Sequence, residues 1–257
     1  MTAKVIAVFS IKGGVGKTTS AVNLAYYAAK KGKQTLLWDM DPQGATSFYF
    51  RIKNKIKGGI QNVADKPKRL EAHIKASDFD RLDVLPADRS YRLMEQLVLT
   101  SHNPDRFMER LLKPILDQYD VVIVDCPPHL NEATRSLFNL VDLVLVPAIP
   151  TVLSIRTLKQ LIKYIRTEFK GKVPLRVFFT LVEKSRSMHR DVIETNLKSA
   201  AKKKTSNVIP VVIPNHSVVE KMGLERAPLG EYADDSEPAK AYKKLWAEVR
   251  SILYPGK

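Results

Sequence analysis

The stretch Ser10-Ile11-Lys12-Gly13-Gly14-Val15-Gly16-Lys17-Thr18-Thr19 follows an apolar run, Lys4–Ser10, and precedes a helical stretch that extends to about Lys31. A glycine-rich loop between a strand and a helix is a phosphate site, because the loop amides and the helix start point toward the anion. Lys17 is placed to reach the β- and γ-phosphates, and the Thr18 hydroxyl to bind Mg²⁺. The predicted nucleotide contacts in the loop are Lys12, Gly13, Gly14, Val15, Gly16, Lys17, Thr18 and Thr19.

Two positions in this loop depart from the strict phosphate-loop pattern. Ile11 stands where that pattern has glycine. Lys12 is a second lysine, which a loop that holds only its own nucleotide does not need. We therefore interpret the stretch as a variant phosphate loop in which Lys12 has a separate task.

Two further acidic motifs follow predicted strands. Asp39 and Asp41 come directly after the strand Gln34–Trp38, and Asp125 ends the strand Tyr119–Asp125. An acid at the end of a buried strand, following a phosphate loop, is typical of a residue that holds the nucleotide's Mg²⁺. We expect Thr18, Asp39 and Asp125 to surround the metal, although Asp39 and Asp41 in a turn could also simply end the strand.

Together these motifs resemble the ParA/MinD family of P-loop ATPases, whose deviant Walker A loop reads Lys-Gly-Gly-Xaa-Gly-Lys-Thr. The resemblance implies that ATP and Mg²⁺ are the cofactors and that the chain hydrolyses ATP to ADP and phosphate. It also implies that Lys12 reaches the phosphates of a partner subunit, so that ATP holds a homodimer together. Asp41 would orient the attacking water, so the implied catalytic residues are Lys12, Lys17 and Asp41.

The resemblance is looser toward the C-terminus. Pro214 and Asn215 lie in an Ile-Pro-Asn element that is similar to the family's adenine-bordering Ile-Pro-Arg-Asn. We expect both residues to contact the nucleotide, with Asn215 in place of the family's arginine.

Apolar runs alternate with helical stretches along the whole chain. This alternation predicts an α/β fold, a mostly parallel twisted β-sheet flanked by helices on both faces, in a single domain spanning residues 1–257. The further predicted strands are 82–85, 143–147, 176–181 and 208–213. The further predicted helices are 103–118, which Pro114 should kink or split, and 153–170, 188–203 and 239–253.

The net charge is the unusual bulk property. The chain carries 42 Lys and Arg against 27 Asp and Glu, a formal charge of +15. Residues 156–204 hold 14 of those basic residues and only 4 of the acids. Such a surplus attracts nucleic acid or an anionic membrane, although it can also be a merely solvated face.

The family resemblance makes non-specific double-stranded DNA the first candidate partner of this basic region. Arg186 falls where the family places a DNA-contacting arginine. The candidate DNA-binding residues are Arg186, Arg190, Lys198, Lys202, Lys203 and Lys204. The resemblance further implies a ParB-like adaptor and a role in chromosome or plasmid partitioning, in the cytoplasm and on the nucleoid. A second cluster, Arg51, Lys53, Lys55 and Lys57, is either a further DNA contact or a solvated loop.

Three alternatives stay open on the sequence. A MinD-like ATPase would attach to membranes through the amphipathic stretch 241–254. Apolar residues at helical spacing more often pack on a core, so a membrane partner is the less favoured interpretation. A relative that positions protein assemblies would share the chemistry but use another adaptor. A metabolic P-loop enzyme, such as an amide ligase, would take a small-molecule acceptor. The chain's one cysteine, Cys126, is expected to be a small buried residue.

Overall fold

The computed structural model describes residues 3–201 and 207–256. Its sheet has eight strands in the order β3-β4-β2-β5-β1-β6-β7-β8, all parallel to their neighbours except β3. The strands are β1 (Lys4–Val8), β2 (Thr35–Asp39), β3 (Lys75–Ala76), β4 (Leu82–Leu85), β5 (Val121–Asp125), β6 (Leu143–Ala148), β7 (Leu175–Val182) and β8 (Val208–Pro214). The predicted mostly parallel sheet is confirmed.

Twelve α-helices occur in the described residues. They are α1 (Lys17–Lys30), α2 (Ala45–Tyr49), α3 (Gly59–Asp65), α4 (Met94–Leu99), α5 (Phe107–Leu116), α6 (Glu132–Phe138), α7 (Val152–Glu168), α8 (Ser187–Ala201), α9 (Ser217–Glu220), α10 (Met222–Glu225), α11 (Leu229–Tyr232) and α12 (Glu237–Leu253). Short 3₁₀ helices at 67–73, 89–93 and 104–106 complete the connections.

Both faces of the sheet are covered, and β1 shows why. Its side chains alternate, so that Val5 and Ala7 pack into one apolar core while Ile6 and Val8 pack into the other. A strand that is buried on both faces must be apolar throughout, which explains the continuous apolar runs in the sequence.

The helix α12 belongs to the second of these cores. Tyr242, Leu245 and Trp246 are at most 2% exposed and pack there with α1. The apolar face that an interfacial membrane helix would need is therefore already buried. No helix in the described part of the chain has the length and apolar character needed to cross a membrane.

Pro114 does not split its helix, so that part of the prediction was wrong, while a kink at Pro114 stays a prediction. The helix α5 runs through Pro114 to Leu116, and the separate element is a 3₁₀ turn, Pro104–Arg106, at its start. Pro114 lies in the last turn, and Leu111, Leu112 and Ile115 around it are fully buried. Burial of this face offsets the single backbone hydrogen bond that the proline removes.

Candidate nucleotide site

The three predicted motifs meet at the carboxyl ends of adjacent central strands. Asp39 on β2 lies in register with Asp125 on β5, which in turn lies in register with Val8 on β1. The amide of Met40 donates to the carbonyl of Asp125 at 3.0 Å, which ties the two acidic strand ends together. The phosphate loop leaves β1 at this same edge, so the sheet brings all three motifs into one site.

The loop presents an open helix start. Gly16 has a left-handed φ of 80° and leads into α1, and no side chain caps the first turn of that helix. The first amides of α1 therefore have no side-chain acceptor and can bind an anion. The loop is braced from β7, because the Thr180 hydroxyl donates to the Val15 carbonyl at 2.8 Å. Lys17 folds back over the loop, with its Nζ 3.4 Å from the Lys12 carbonyl.

Asp39 and Asp125 are buried acids that each keep one unused oxygen. They are 0% and 1% exposed, and their Oδ1 atoms have no hydrogen-bond partner among the described residues. Their Oδ2 atoms are held from α2. The Ser47 amide and hydroxyl both donate to Asp39 at 2.7 Å, and the Thr46 hydroxyl donates to Asp125 at 2.8 Å.

Burial shifts the pKa values of these groups in the bare protein. It raises the pKa of Asp39 above its ordinary value, and the neighbouring charge of Asp125 adds to that effect. It also raises the pKa of Asp125, while the nearby Thr18 and Thr46 hydroxyls oppose that shift. Burial lowers the pKa of Lys17, while Asp125 and Asp41 oppose that shift.

These residues fit a divalent cation. Mg²⁺ prefers oxygen ligands, and two buried carboxylate oxygens without partners lie beside a phosphate loop and the Thr18 hydroxyl. A bound cation would also favour the charged forms of both acids. Thr18, Asp39 and Asp125 are therefore the residues that could hold the metal.

Asp41 lies at the edge of a cavity next to these acids. It is partly exposed, and its Oδ1 accepts from the Gln43 amide at 2.9 Å. The cavity has a volume of about 590 Å³, and Pro127, Pro128 and His129 from the loop after β5 line it together with Asp41. The structure thus brings the segment Asp41-Pro42-Gln43 and the turn Pro127-Pro128 together around a space that admits water.

The element that contains Pro214 and Asn215 lies beside the end of β7. The Asn215 amide donates to the Val182 carbonyl at 2.9 Å, and its side chain donates to Glu183 at 3.5 Å. Because β7 also braces the phosphate loop through Thr180, this element belongs to the same end of the sheet. No contact among the described residues assigns it a nucleobase, so the adenine role stays a prediction.

The candidate DNA-binding residues form no part of the nucleotide site. Arg186 is ion-paired with Glu183 at 2.6 Å, and Lys198 with Glu194 at 2.5 Å. The Arg190 guanidinium donates to the Lys184 carbonyl at 3.1 Å. These arginines and Lys198 lie on or just before α8, near the β7–β8 edge of the sheet. Lys202, Lys203 and Lys204 lie outside the described residues.

Sequence reasoning missed Thr46 and Ser47, which fix the two acids. The helix α2 that contains them has only five residues, too few to show a helical period. A usable signal was present, since two adjacent hydroxyl residues follow Gly44 at the start of an otherwise apolar stretch. Cys126, by contrast, is buried and free as expected, and burial raises the pKa of its thiol.

Comparison with known proteins places the chain in a family. A family model described as an AAA domain matches residues 3–173. The sporulation initiation inhibitor protein Soj of Bacillus subtilis is 30% identical over 251 residues, which cover 96% of this chain and 98% of that protein. The chain belongs to the ParA/Soj family of P-loop ATPases. The chromosome partitioning protein ParA of Myxococcus xanthus is 28% identical, over 96% of this chain and 87% of its own length.

The ParA/Soj fold also occurs in proteins of other function. A solved structure of cobyrinic acid a,c-diamide synthase from Mycobacterium smegmatis, with a bound ATP analog and magnesium, superposes with a TM-score of 0.81. It is 25% identical, and the match covers 99% of this chain and 97% of that one. The fold alone therefore does not choose between DNA partitioning and metabolic chemistry.

Proposed function

We propose that this ParA/Soj-family protein is a Mg²⁺-dependent ATPase that dimerises on ATP, binds duplex DNA without sequence preference in that state, and segregates or positions DNA in the cell. The observation that carries the proposal is the phosphate loop with an extra lysine, beside two buried acids that each keep a free oxygen. The similarity to Soj and ParA over nearly the whole chain supports it.

The proposed hydrolysis depends on positioning. Lys17 and the open start of α1 would bind the phosphates, while Thr18, Asp39 and Asp125 would hold Mg²⁺, which neutralises phosphate charge when bound. Asp41 would orient the water, because its second carboxyl oxygen is not taken up by Gln43. Phosphoryl transfer needs little covalent help from the protein, so these placements account for the reaction.

Lys12 and Gly13 support dimerisation. Gly13 has no left-handed backbone, and a Cβ added to it would have no neighbour within 4 Å. Nothing in the described part of the chain therefore requires glycine there, whereas a second subunit approaching the loop would. Among the described residues the Lys12 ammonium has no ion-pair partner, which leaves it available to phosphates across an interface.

The DNA-binding part of the proposal relies on charge. Residues 156–204 hold 14 basic and 4 acidic residues, and a dimer would double that surplus on one particle. Arg186, Arg190, Lys198 and the lysines at 202–204 are the proposed contacts. A ParB-like adaptor, the DNA cargo and the nucleoid location are proposed from the Soj and ParA relatives.

A metabolic ligase is the second candidate function. The likeness to the diamide synthase favours it, as does the cavity of about 590 Å³ beside Asp41, which is large enough for a small acceptor. Such an enzyme would consume ATP only in the presence of that acceptor and would not respond to DNA.

The proposed dimer is tested by analytical ultracentrifugation with ATP analog, ADP or no nucleotide. Wild-type protein should be dimeric only with the analog, whereas Lys12→Ala should bind the analog and stay monomeric. Lys17→Ala, which should lose nucleotide binding itself, separates the two roles. A Lys12→Ala protein that dimerises like wild type would contradict the proposal, and so would a wild type that never dimerises.

A further inference from the structure

A strip of lysines follows α2 directly in the chain. Lys53, Lys55 and Lys57, here called the lysine strip, are exposed, while Ile56 between them is buried and Ile52 is half-buried. The isoleucines thus turn inward and leave the ammonium groups in solvent. The segment therefore forms a positively charged surface that is accessible to a ligand.

The strip is held to the body of the protein at several points. The Ile52 amide donates to the Ser47 carbonyl at 3.0 Å, and the Ile56 amide donates to Asp88 Oδ2 at 2.7 Å. Asn54 packs so closely on Gly44 that a Cβ there would overlap its side chain. The backbone of the lysines is therefore fixed in advance, and a ligand would not have to order it.

The structure changes the membership of the cluster that the sequence suggested. Arg51 is exposed but already partnered, since its guanidinium binds Asp78 at 3.2 Å and donates to the Glu225 carbonyl at 2.8 Å. Arg69 joins instead, because it donates to Asn62, whose own side chain donates to the Lys57 carbonyl at 3.4 Å.

The strip's charges are not neutralised locally. In residues 3–201 and 207–256 none of the three lysines has an ion-pair partner. Asp88, the acid that holds this segment, already accepts hydrogen bonds from the Ile56 and Ser90 amides. The positive potential is therefore available to an external anion.

The strip and α8 lie toward opposite edges of the sheet. Asp88, which holds the strip through the Ile56 amide, follows β4, whereas α8 follows β7. Five strand spacings separate β4 from β7, or about 24 Å at the usual spacing. A contact at the strip is thus separate from the proposed contacts on α8.

We propose that the lysine strip, with Arg69, is a second binding site for the phosphate backbone of duplex DNA. Lysine ammonium groups suit phosphates without sequence preference. A protein partner is less well matched, because interface cores use exposed apolar and aromatic side chains, and no large hydrophobic side chain of residues 51–69 is exposed. That the bound polyanion is DNA rests on the proposed function, whereas the exposed lysines, which are unpaired within the described part of the chain, do not.

The test measures how the affinity for a labelled duplex depends on salt, with the ATP analog present. Each lost phosphate contact lowers the magnitude of the slope of log association constant against log salt concentration by about 0.9. The triple variant Lys53→Glu, Lys55→Glu and Lys57→Glu should therefore lower that magnitude by about 2.7 for each strip that contacts the DNA. The matched control replaces Lys240, Lys243 and Lys244, on the exposed side of α12, with Glu and changes the net charge equally. Both triple variants should keep the wild-type thermal midpoint.

A slope that falls in the strip variant but not in the control supports the site. An unchanged slope in the strip variant, or an equal fall in both, overturns it, and an acidic protein partner would then be the next candidate for the strip. If wild-type protein binds no DNA in any nucleotide state, the proposed function fails as well. If it binds and only a variant with Arg186, Arg190 and Lys198 replaced by Glu lowers the slope, this inference fails alone.

Discussion

At the scale of single residues, the three carboxylates of the candidate site lie close together but in different environments. Asp39 and Asp125 are buried and fixed by α2, whereas Asp41, two residues beyond Asp39, is partly exposed beside a cavity. Adjacent carboxylates thus occupy different environments. This difference supports the proposed roles, in which the buried pair would hold the metal and Asp41 would orient the water.

We expect Asp41→Ala to lower the rate of phosphate release by about 100-fold or more while leaving ATP binding intact. The reason is that positioned proton-accepting groups contribute roughly 10²–10⁴ to a rate. The rate is measured by phosphate release, and binding by fluorescent-nucleotide titration. Asp235→Ala, which removes an exposed acid remote from the motifs, is the control. Hydrolysis near the wild-type rate in Asp41→Ala would remove this residue from the mechanism.

Ser47→Ala should lower the free energy of unfolding by about 1–3 kcal/mol, because it leaves buried polar groups unpaired. The Ser47 hydroxyl donates to Asp39 and accepts from the Ala87 amide at 3.0 Å, so both groups lose a partner. Urea unfolding measures the change. Ser251→Ala, which loses only an exposed contact to Glu248, should stay within about 0.5 kcal/mol of wild type. Equal stabilities of the two variants would show that the Ser47 contacts do not fix Asp39.

At the scale of elements, the long buried strands were predictable and the short helices were not. The strand β4 has the predicted bounds, 82–85, and β1 and β5 differ from prediction only at their ends. A continuous apolar run is typical of a strand that is buried on both faces of a sheet, so these strands could be predicted from the sequence. The helices α2, α3 and α4 have five to seven residues, and tertiary contacts determine them more than periodicity does.

The same limit applied to the candidate site. The phosphate loop and the acids Asp39, Asp41 and Asp125 could be picked out from the sequence, because phosphate and metal chemistry calls for these residue types. The two adjacent hydroxyl residues after Gly44 mark Thr46 and Ser47 in the sequence, but their partners depend on how α2 lies against β2 and β5. The reassignment from Arg51 to Arg69 in the basic cluster likewise needed the positions of Asp78 and Asn62, which come from distant parts of the chain.

The helix α12 supplies a test of the membrane alternative. Trp246→Ala should lower the free energy of unfolding by about 3–5 kcal/mol, because a large side chain that is 2% exposed leaves a cavity in the core. Lys243→Ala on the exposed side of the same helix is the control and should change it by less than about 0.5 kcal/mol. Denaturant unfolding measures both. A Trp246→Ala protein of wild-type stability that fails to bind anionic liposomes, where wild type binds them, would favour the membrane anchor.

At the scale of the whole molecule, the proposed function requires an ATP-closed dimer that presents a basic surface to DNA. ATP can favour DNA binding only as far as the dimer binds DNA better than the monomer does. Doubling the contacts in the proposed dimer would supply that difference, because each added phosphate contact strengthens binding and steepens its salt dependence. Lys12 is the residue through which the nucleotide would control the surface.

The most direct measurement of this central claim is the retention of protein on immobilised duplex DNA of random sequence at moderate salt. Wild type and Lys12→Ala are each tested with the ATP analog, ADP or no nucleotide. The account predicts retention of wild type with the analog only, and none of Lys12→Ala in any state. Equal retention of wild type in all three states would contradict it, since the charge would then be a passive basic surface, and so would an absence of retention throughout.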